Sequence, residues 1–302
     1  MSRTVTYKEI IWHDDSDPQE KSLRVLQEQY GFHELDVEDV LSMHERPKIE
    51  EYPDYLFLVF HVPYIQSGRI LKEEVNVFLG SNYVVSFHQG KISALDRLWH
   101  TIHESETVRK EYMERGTGFL LYEIMYVLFQ EGFPMLDDIT THLRRVETEL
   151  FESEDQVDLL RDILKLRRNI ITMRSVLSPQ RTLIALLEHK NKKFIPDELE
   201  LYFDDILDAI ERQWSLLEMA KEMSEALEAT HEAWLSHKTN VVIRILTIFS
   251  VTLLPLTVVA GFYGMNIPLP FQQHPSAFLL MSALMLLIVA GSLWYFWWKR
   301  WL

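Results

Sequence analysis

The spacing of hydrophobic and polar positions changes character twice along the chain. Residues 4–12, 53–65, 71–79 and 82–88 are rich in Val, Ile, Tyr and Phe, with turn-like stretches such as Gln66-Ser-Gly-Arg and Gly80-Ser-Asn between them, and read as strands. Helices are expected over 18–29, 34–44 and 91–106, which makes residues 1–110 a small mixed α/β domain. From about 117 to 240 glycine becomes scarce and apolar residues recur at three and four. Leu199, Phe203, Ile206, Ile210, Trp214, Leu217, Ala220, Met223, Leu227 and Trp234 trace one face of a long amphipathic helix. Pro196-Asp197-Glu198 suits its start, with proline in the first turn and acids at the positive end of the dipole. No strong stop follows before Gly261, so the helical region 111–240 is expected to run straight into the next segment.

That next segment, 241–302, holds two long apolar runs. Ile245 to Tyr263 is nineteen residues without a charge and Ala277 to Trp298 is twenty-two, each long enough to cross a hydrocarbon core of about 30 Å. The competing reading, two buried helices of a soluble protein, fits their length and terminal position less well. The spans are placed at about 241–263 and 277–298. Trp294, Trp297, Trp298 and Trp301 form an aromatic belt. Lys238, Arg244, Lys299 and Arg300 flank the spans, whereas Gly264–Ser276 carries no charge, so the positive-inside rule puts both termini in the cytoplasm. The expected location is the plasma (inner) membrane, with the lipid bilayer as partner.

Polar and small residues of the first span are aligned. Asn240, Thr247, Ser250, Thr257 and Gly261 share a stripe with Ile243, Leu246 and Leu254, at steps of three and four. Two readings compete: a pore lining, or a helix–helix seam of small and hydroxyl residues. The stripe's length, across the whole bilayer, favours a pore. One helix cannot enclose a channel, so the pore reading requires several copies around an axis. Neither span contains a carboxylate. Hydroxyl, amide and backbone oxygens would then hold a hydrated ion weakly enough to release it, and rings of Leu246 and Leu254 are candidates for a hydrophobic gate.

Charge sharpens this picture. Residues 1–240 hold 27 basic and 45 acidic side chains, a balance of −18. Such a field repels nucleic acid and concentrates cations, although solubility alone would account for it equally well. The 302 residues include no cysteine, which removes disulfides and thiolate metal sites and leaves hard oxygen ligands. Met1-Ser-Arg-Thr-Val-Thr-Tyr-Lys-Glu has no apolar run behind its basic residue, so no cleaved signal peptide is expected. His231-Glu232 and His237 do not make a zinc-protease helix, because the histidines stand six apart rather than four. No phosphate-binding loop, nucleophile elbow or evident pair of acids marks an enzyme, and no covalently bound cofactor is expected.

Tyr263-Gly264-Met265-Asn266, at the outer end of the first of two C-terminal spans, resembles the signature of the CorA family of divalent cation transporters. Lys238-Thr-Asn240, Leu254-Pro-Leu-Thr257, Glu38-Asp39-Val40-Leu41, His44-Glu-Arg46-Pro47-Lys48 and the basic end Lys299-Arg300-Trp301-Leu302 extend the likeness over nearly the whole chain. The resemblance implies a funnel-shaped homopentameric channel: an α+β cytoplasmic domain, a long stalk helix that becomes the pore, and an outer ring of second spans. Gly264, Met265 and Asn266 would form the selective entrance, Asn240 the inner end, and Leu246 and Leu254 the hydrophobic constrictions. Asp39 and Asp205, with Asp208 one turn on, match a regulatory metal site between neighbouring subunits.

Magnesium, with cobalt, is the implied substrate and regulator; nickel and zinc are further candidates. The loop Ile267-Pro-Leu-Pro-Phe-Gln-Gln-His274-Pro departs from the pattern, since many magnesium-carrying members have a Glu there. The zinc-carrying ZntB branch is therefore a rival reading, and a membrane-anchored relative that does not conduct is another. Without the resemblance, the aspartates read as solvated charges on helices.

Overall fold

A computed structural model describes residues 2–152, 156–190, 193–265 and 274–301. The chain opens with β1 (Ser2–Tyr7) and β2 (Ile10–Asp15), then α1 (Glu20–Tyr30) and α2 (Glu34–Ser42). The strands β3 (Lys48–Glu51), β4 (Tyr55–Gln66), β5 (Arg69–Gly80) and β6 (Tyr83–Phe87) follow. Helices α3 (Ser93–Glu104), α4 (Glu106–Met113), α5 (Thr117–Gln130), α6 (Gly132–Glu152) and α7 (Gln156–Lys190) come next. One 3-10 turn, Asp197–Leu199, leads into α8 (Glu200–Tyr263), and α9 (Ala277–Trp298) comes last.

The six strands form one sheet in the order β1-β2-β6-β5-β4-β3. Among the described strands only β2 and β6 pair parallel, with α1, α2 and three strands intervening between them. The continuous apolar run of β4 is explained by burial on both faces. Leu56, Leu58, Phe60 and Val62 point into the core shared with α3 and α5–α8, whereas Tyr55, Phe57 and Val59 point to the side covered by α1 and α2. There Phe32 stacks on Phe78 with centroids 3.9 Å apart.

Two strand expectations are corrected. The stretch 4–12 is a hairpin rather than one strand: it turns at Lys8, whose φ is 52°, and β1 folds back so that Tyr7 faces Ile10. The apolar pattern on either side of Lys8-Glu9 had hidden that charged tip. Residues 48–51, assigned to no element in the sequence, form edge strand β3 against β4. Its Lys-Ile-Glu-Glu composition is too polar to signal a strand, and charged residues are common on exposed edges.

The chain divides into two compact units, Met1–Glu228 and Ala229–Leu302. The boundary falls inside α8, whose uninterrupted course to Tyr263 agrees with the missing stop signal. Both charge-free runs are helical and long and apolar enough to cross a membrane.

Candidate pore and regulatory metal site

In the second unit, α9 occupies one side of α8. Ile245, Ile248, Phe249 and Thr252 share a groove with Leu293. The Thr252 and Ser292 hydroxyls lie 3.3 Å apart, and Ser292 also reaches the Val289 carbonyl at 2.9 Å. Successive helical residues turn by about 100°, so Ser250 and Leu254 lie roughly half a turn from Ile248 and Thr252. The stripe therefore runs along the face of α8 away from α9. Ile243, Leu246 and Leu254 on that face are 55%, 65% and 65% exposed in the single chain, and Asn240, Ser250, Thr257 and Gly261 are exposed as well.

The stripe hydroxyls share one geometry. Thr247 donates to the Ile243 carbonyl at 2.8 Å, Ser250 to Leu246 at 2.8 Å and Thr257 to Leu253 at 3.0 Å. Such back-bonding to the carbonyl four residues earlier satisfies the hydroxyl proton within the helix. A hydroxyl has one proton and two lone pairs, so the outward-facing oxygens act as acceptors.

Beyond Tyr263 the Gly264 amide closes onto the Ala260 carbonyl at 2.9 Å. A Cβ at 264 would stand 3.0 Å from that same backbone oxygen, tight enough to favour glycine there. At Gly261 a Cβ would meet nothing within 4 Å among the described residues, so no packing among them demands glycine. Met265 is exposed, and Asn266 lies outside the described residues. His274 is engaged locally: its Nδ1 lies 2.6 Å from the Ser276 hydroxyl and accepts from the Ser276 amide at 3.3 Å, just ahead of α9.

In the first unit, α2 starts where the His33 ring accepts from the Leu35 amide and ends at Met43, whose φ is 50°. Asp39 sits in its last turn, 20% exposed. Its Oδ2 receives the Lys48 ammonium at 2.6 Å, and Glu50 Oε1 receives the same ammonium at 2.8 Å. Lys48 and Glu50, two apart on β3, share a face.

Below them Asp36 is fully buried and accepts from Tyr52 at 3.0 Å and Tyr55 at 2.7 Å. Burial raises its carboxyl above the usual range, against the pull of the two tyrosine hydroxyls. Lys48 is raised as well: burial opposes its charge, but Asp39 and Glu50 outweigh it. Asp36, Lys48 and Glu50 were absent from the sequence-based site. The period-two placement of Lys48 and Glu50 was a usable signal only once β3 was known to exist.

Asp205 and Asp208 are exposed on α8. Beside them Tyr202 packs edge-on to Phe119 and Tyr122, and Arg115 lies over Phe119 and Tyr202 and donates to the Tyr202 hydroxyl at 2.9 Å. Burial, with Glu123 and Asp205 nearby, pushes the Tyr122 hydroxyl up to about 12. Among the described residues no group of three or more His, Asp and Glu side chains is placed to hold a metal ion. One chain does not gather Asp39, Asp205 and Asp208 into a coordination sphere.

An α/β domain, an uninterrupted helix and two C-terminal helices long and apolar enough to cross a membrane give the architecture of a membrane protein. The chain belongs to the family described as CorA-like Mg2+ transporter protein, whose profile matches residues 7–300. It is thus a divalent metal transporter of the CorA family. YfjQ of Bacillus subtilis is 30% identical over 297 residues, covering 96% of this chain and 89% of YfjQ. The cobalt/magnesium transport protein CorA of Thermotoga maritima is 28% identical over 276 residues, covering 90% of this chain and 78% of that protein. The complete structure of the CorA magnesium transporter from Methanocaldococcus jannaschii superposes with a TM-score of 0.85 at 24% identity, over 97% of this chain and 92% of that one, which establishes the fold.

Proposed function

We propose that this protein admits magnesium, and cobalt, into the cytoplasm through a pore enclosed by five copies of α8, and that cytoplasmic metal bound between subunits at Asp39, Asp205 and Asp208 holds it shut. The observation that carries the reading is the shared back-bonding of Thr247, Ser250 and Thr257 on the face away from α9. Water around a cation points its hydrogens outward. A lining of oxygen acceptors matches that shell, whereas an anion's shell needs donors.

Magnesium gives up water reluctantly, so outer-shell contacts of this kind suit it, and the absence of carboxylates from both spans keeps binding weak enough for release. The name of the Thermotoga maritima relative, a cobalt/magnesium transport protein, supports the same pair of ions.

In this reading both termini are cytoplasmic, Gly264, Met265 and Asn266 form the outer entrance, and Asn240 the inner end. The acidic domain then faces the side on which the ion arrives. Influx needs no ATP: moving two charges down the potential yields about 4.6 kcal/mol per 100 mV. Flux into proteoliposomes carrying magnesium- and zinc-sensitive dyes tests the proposal. Magnesium flux that follows the imposed potential and is lost in Asn266→Ala and reduced in Thr247→Val is expected. Zinc flux alone would overturn the ion assignment, and no flux of either ion would identify a non-conducting member.

A further inference from the structure

The regulatory reading treats Asp39 as a metal ligand, yet within one chain its carboxylate already has a cation. Lys48 Nζ lies 2.6 Å from Asp39 Oδ2 and 2.8 Å from Glu50 Oε1, with the Phe57 ring 5.6 Å away. Both members of the Lys48–Asp39 pair are largely sheltered, at 28% and 20% exposure. A divalent ion at Asp39 competes with the ammonium, because two cations on one carboxylate repel each other even when Lys48 holds Oδ2 and the ion takes Oδ1.

Glu50 makes the exchange feasible. It stands two residues from Lys48 on β3 and would keep the ammonium after Asp39 is surrendered. Its other oxygen, Oε2, lies 3.2 Å from the Tyr52 hydroxyl, whose single proton is shared with the buried Asp36 at 3.0 Å.

We propose that Lys48 is an internal competitor for Asp39, with Glu50 as its alternative partner, and that this competition sets the metal concentration at which the channel closes. The inference rests on Asp39 being a ligand of the inhibitory metal. It requires opposite shifts from neutralising two neighbouring residues of opposite charge. Removing Lys48 frees Asp39 and leaves the metal a more negative site. Removing the Glu50 charge confines the ammonium to Asp39 and makes it harder to displace.

The test is magnesium flux through the full-length protein in liposomes against internal magnesium, each variant referred to its own maximum. Lys48→Met should close at about tenfold lower magnesium, the size of one partly sheltered ion pair. Glu50→Gln should close at higher magnesium, Lys48→Arg should stay near the wild-type midpoint, and Asp39→Asn should lose closure. An unchanged or raised midpoint in Lys48→Met, with closure still lost in Asp39→Asn, overturns the competition and leaves the regulatory site standing. Closure retained in Asp39→Asn overturns both. If Lys48→Met does not assemble, Lys48→Gln reads the same shift, and magnesium protection of the full-length protein against proteolysis reports the midpoint without flux.

Discussion

Thr252 on α8 and Ser292 on α9 meet hydroxyl to hydroxyl at 3.3 Å, and this contact fixes which side of α8 the second span covers. Thr247, Ser250 and Thr257 turn their protons back to their own helix and stay clear of α9. Hydroxyls of one chemical type on one helix thereby differ: Thr252 meets the second span, and the other three bond back to their own helix, as the proposed pore lining requires.

That division predicts separable phenotypes. Thr252→Val with Ser292→Ala should lower thermal stability in detergent modestly, since a polar contact between spans is worth about 0.6 kcal/mol, and leave ion selectivity alone. Ser250→Ala should do the reverse, reducing magnesium flux with little change in melting. Equal effects of both on flux would rule the division out.

Leu246 and Leu254, each 65% exposed along the stripe, should act as the dry constriction. Leu254→Asn would let water remain in a closed pore, and magnesium leak at inhibitory internal magnesium should rise by about tenfold or more. Patch recording or dye influx reads this directly; unaltered closure would move the gate elsewhere.

Asp36 depends on Tyr55, whose hydroxyl reaches it at 2.7 Å while also accepting from the His33 amide at 2.8 Å. Tyr55→Phe leaves a buried carboxylate oxygen without a donor, at a cost of about 1–3 kcal/mol. Denaturant melts of the full-length protein should show this loss, and α2 together with Asp39 should be the part loosened in hydrogen exchange.

His88 is fully buried between Asp14, 3.4 Å from Nε2, and Glu73, 3.7 Å from Nδ1. Burial disfavours its charge, but the two carboxylates outweigh burial and push it up to about 9. A histidine held above its unfolded value stabilises most below about pH 6.5 and loses that contribution as pH rises through about 9. The Gly90 amide also points at Nδ1, 3.1 Å away, a donor that only the neutral ring can accept. Unfolding free energy should fall by on the order of 3 kcal/mol from pH 6 to 10, and His88→Gln should flatten that slope.

Gln213 of α8 is fully buried, and its amide donates to the Phe129 carbonyl at 2.7 Å beside Gly132. A Cβ at 132 would collide with the Gln213 side-chain oxygen. Gly132→Ala should destabilise by about 1–3 kcal/mol, as overpacking does, and Gln213→Ala in the same chain should recover part of it.

Periodicity and charge alone determined much of this protein. The two spans, the through-running α8 and the aligned stripe follow from composition and from steps of three and four, because a bilayer tolerates few other solutions. The apolar strands β4, β5 and β6 were equally legible, since residues buried on both faces form unbroken runs.

What the tertiary structure decided are relations between separated positions. Whether Lys8 continues a strand or turns it depends on what β2 pairs with, and whether Lys48 is a surface charge or the partner of Asp39 depends on β3 docking against β4. The direction faced by the stripe is of the same kind. Composition shows that Ser250 and Thr252 both carry hydroxyls, but only the packing of α9 against one side of α8 gives them different partners.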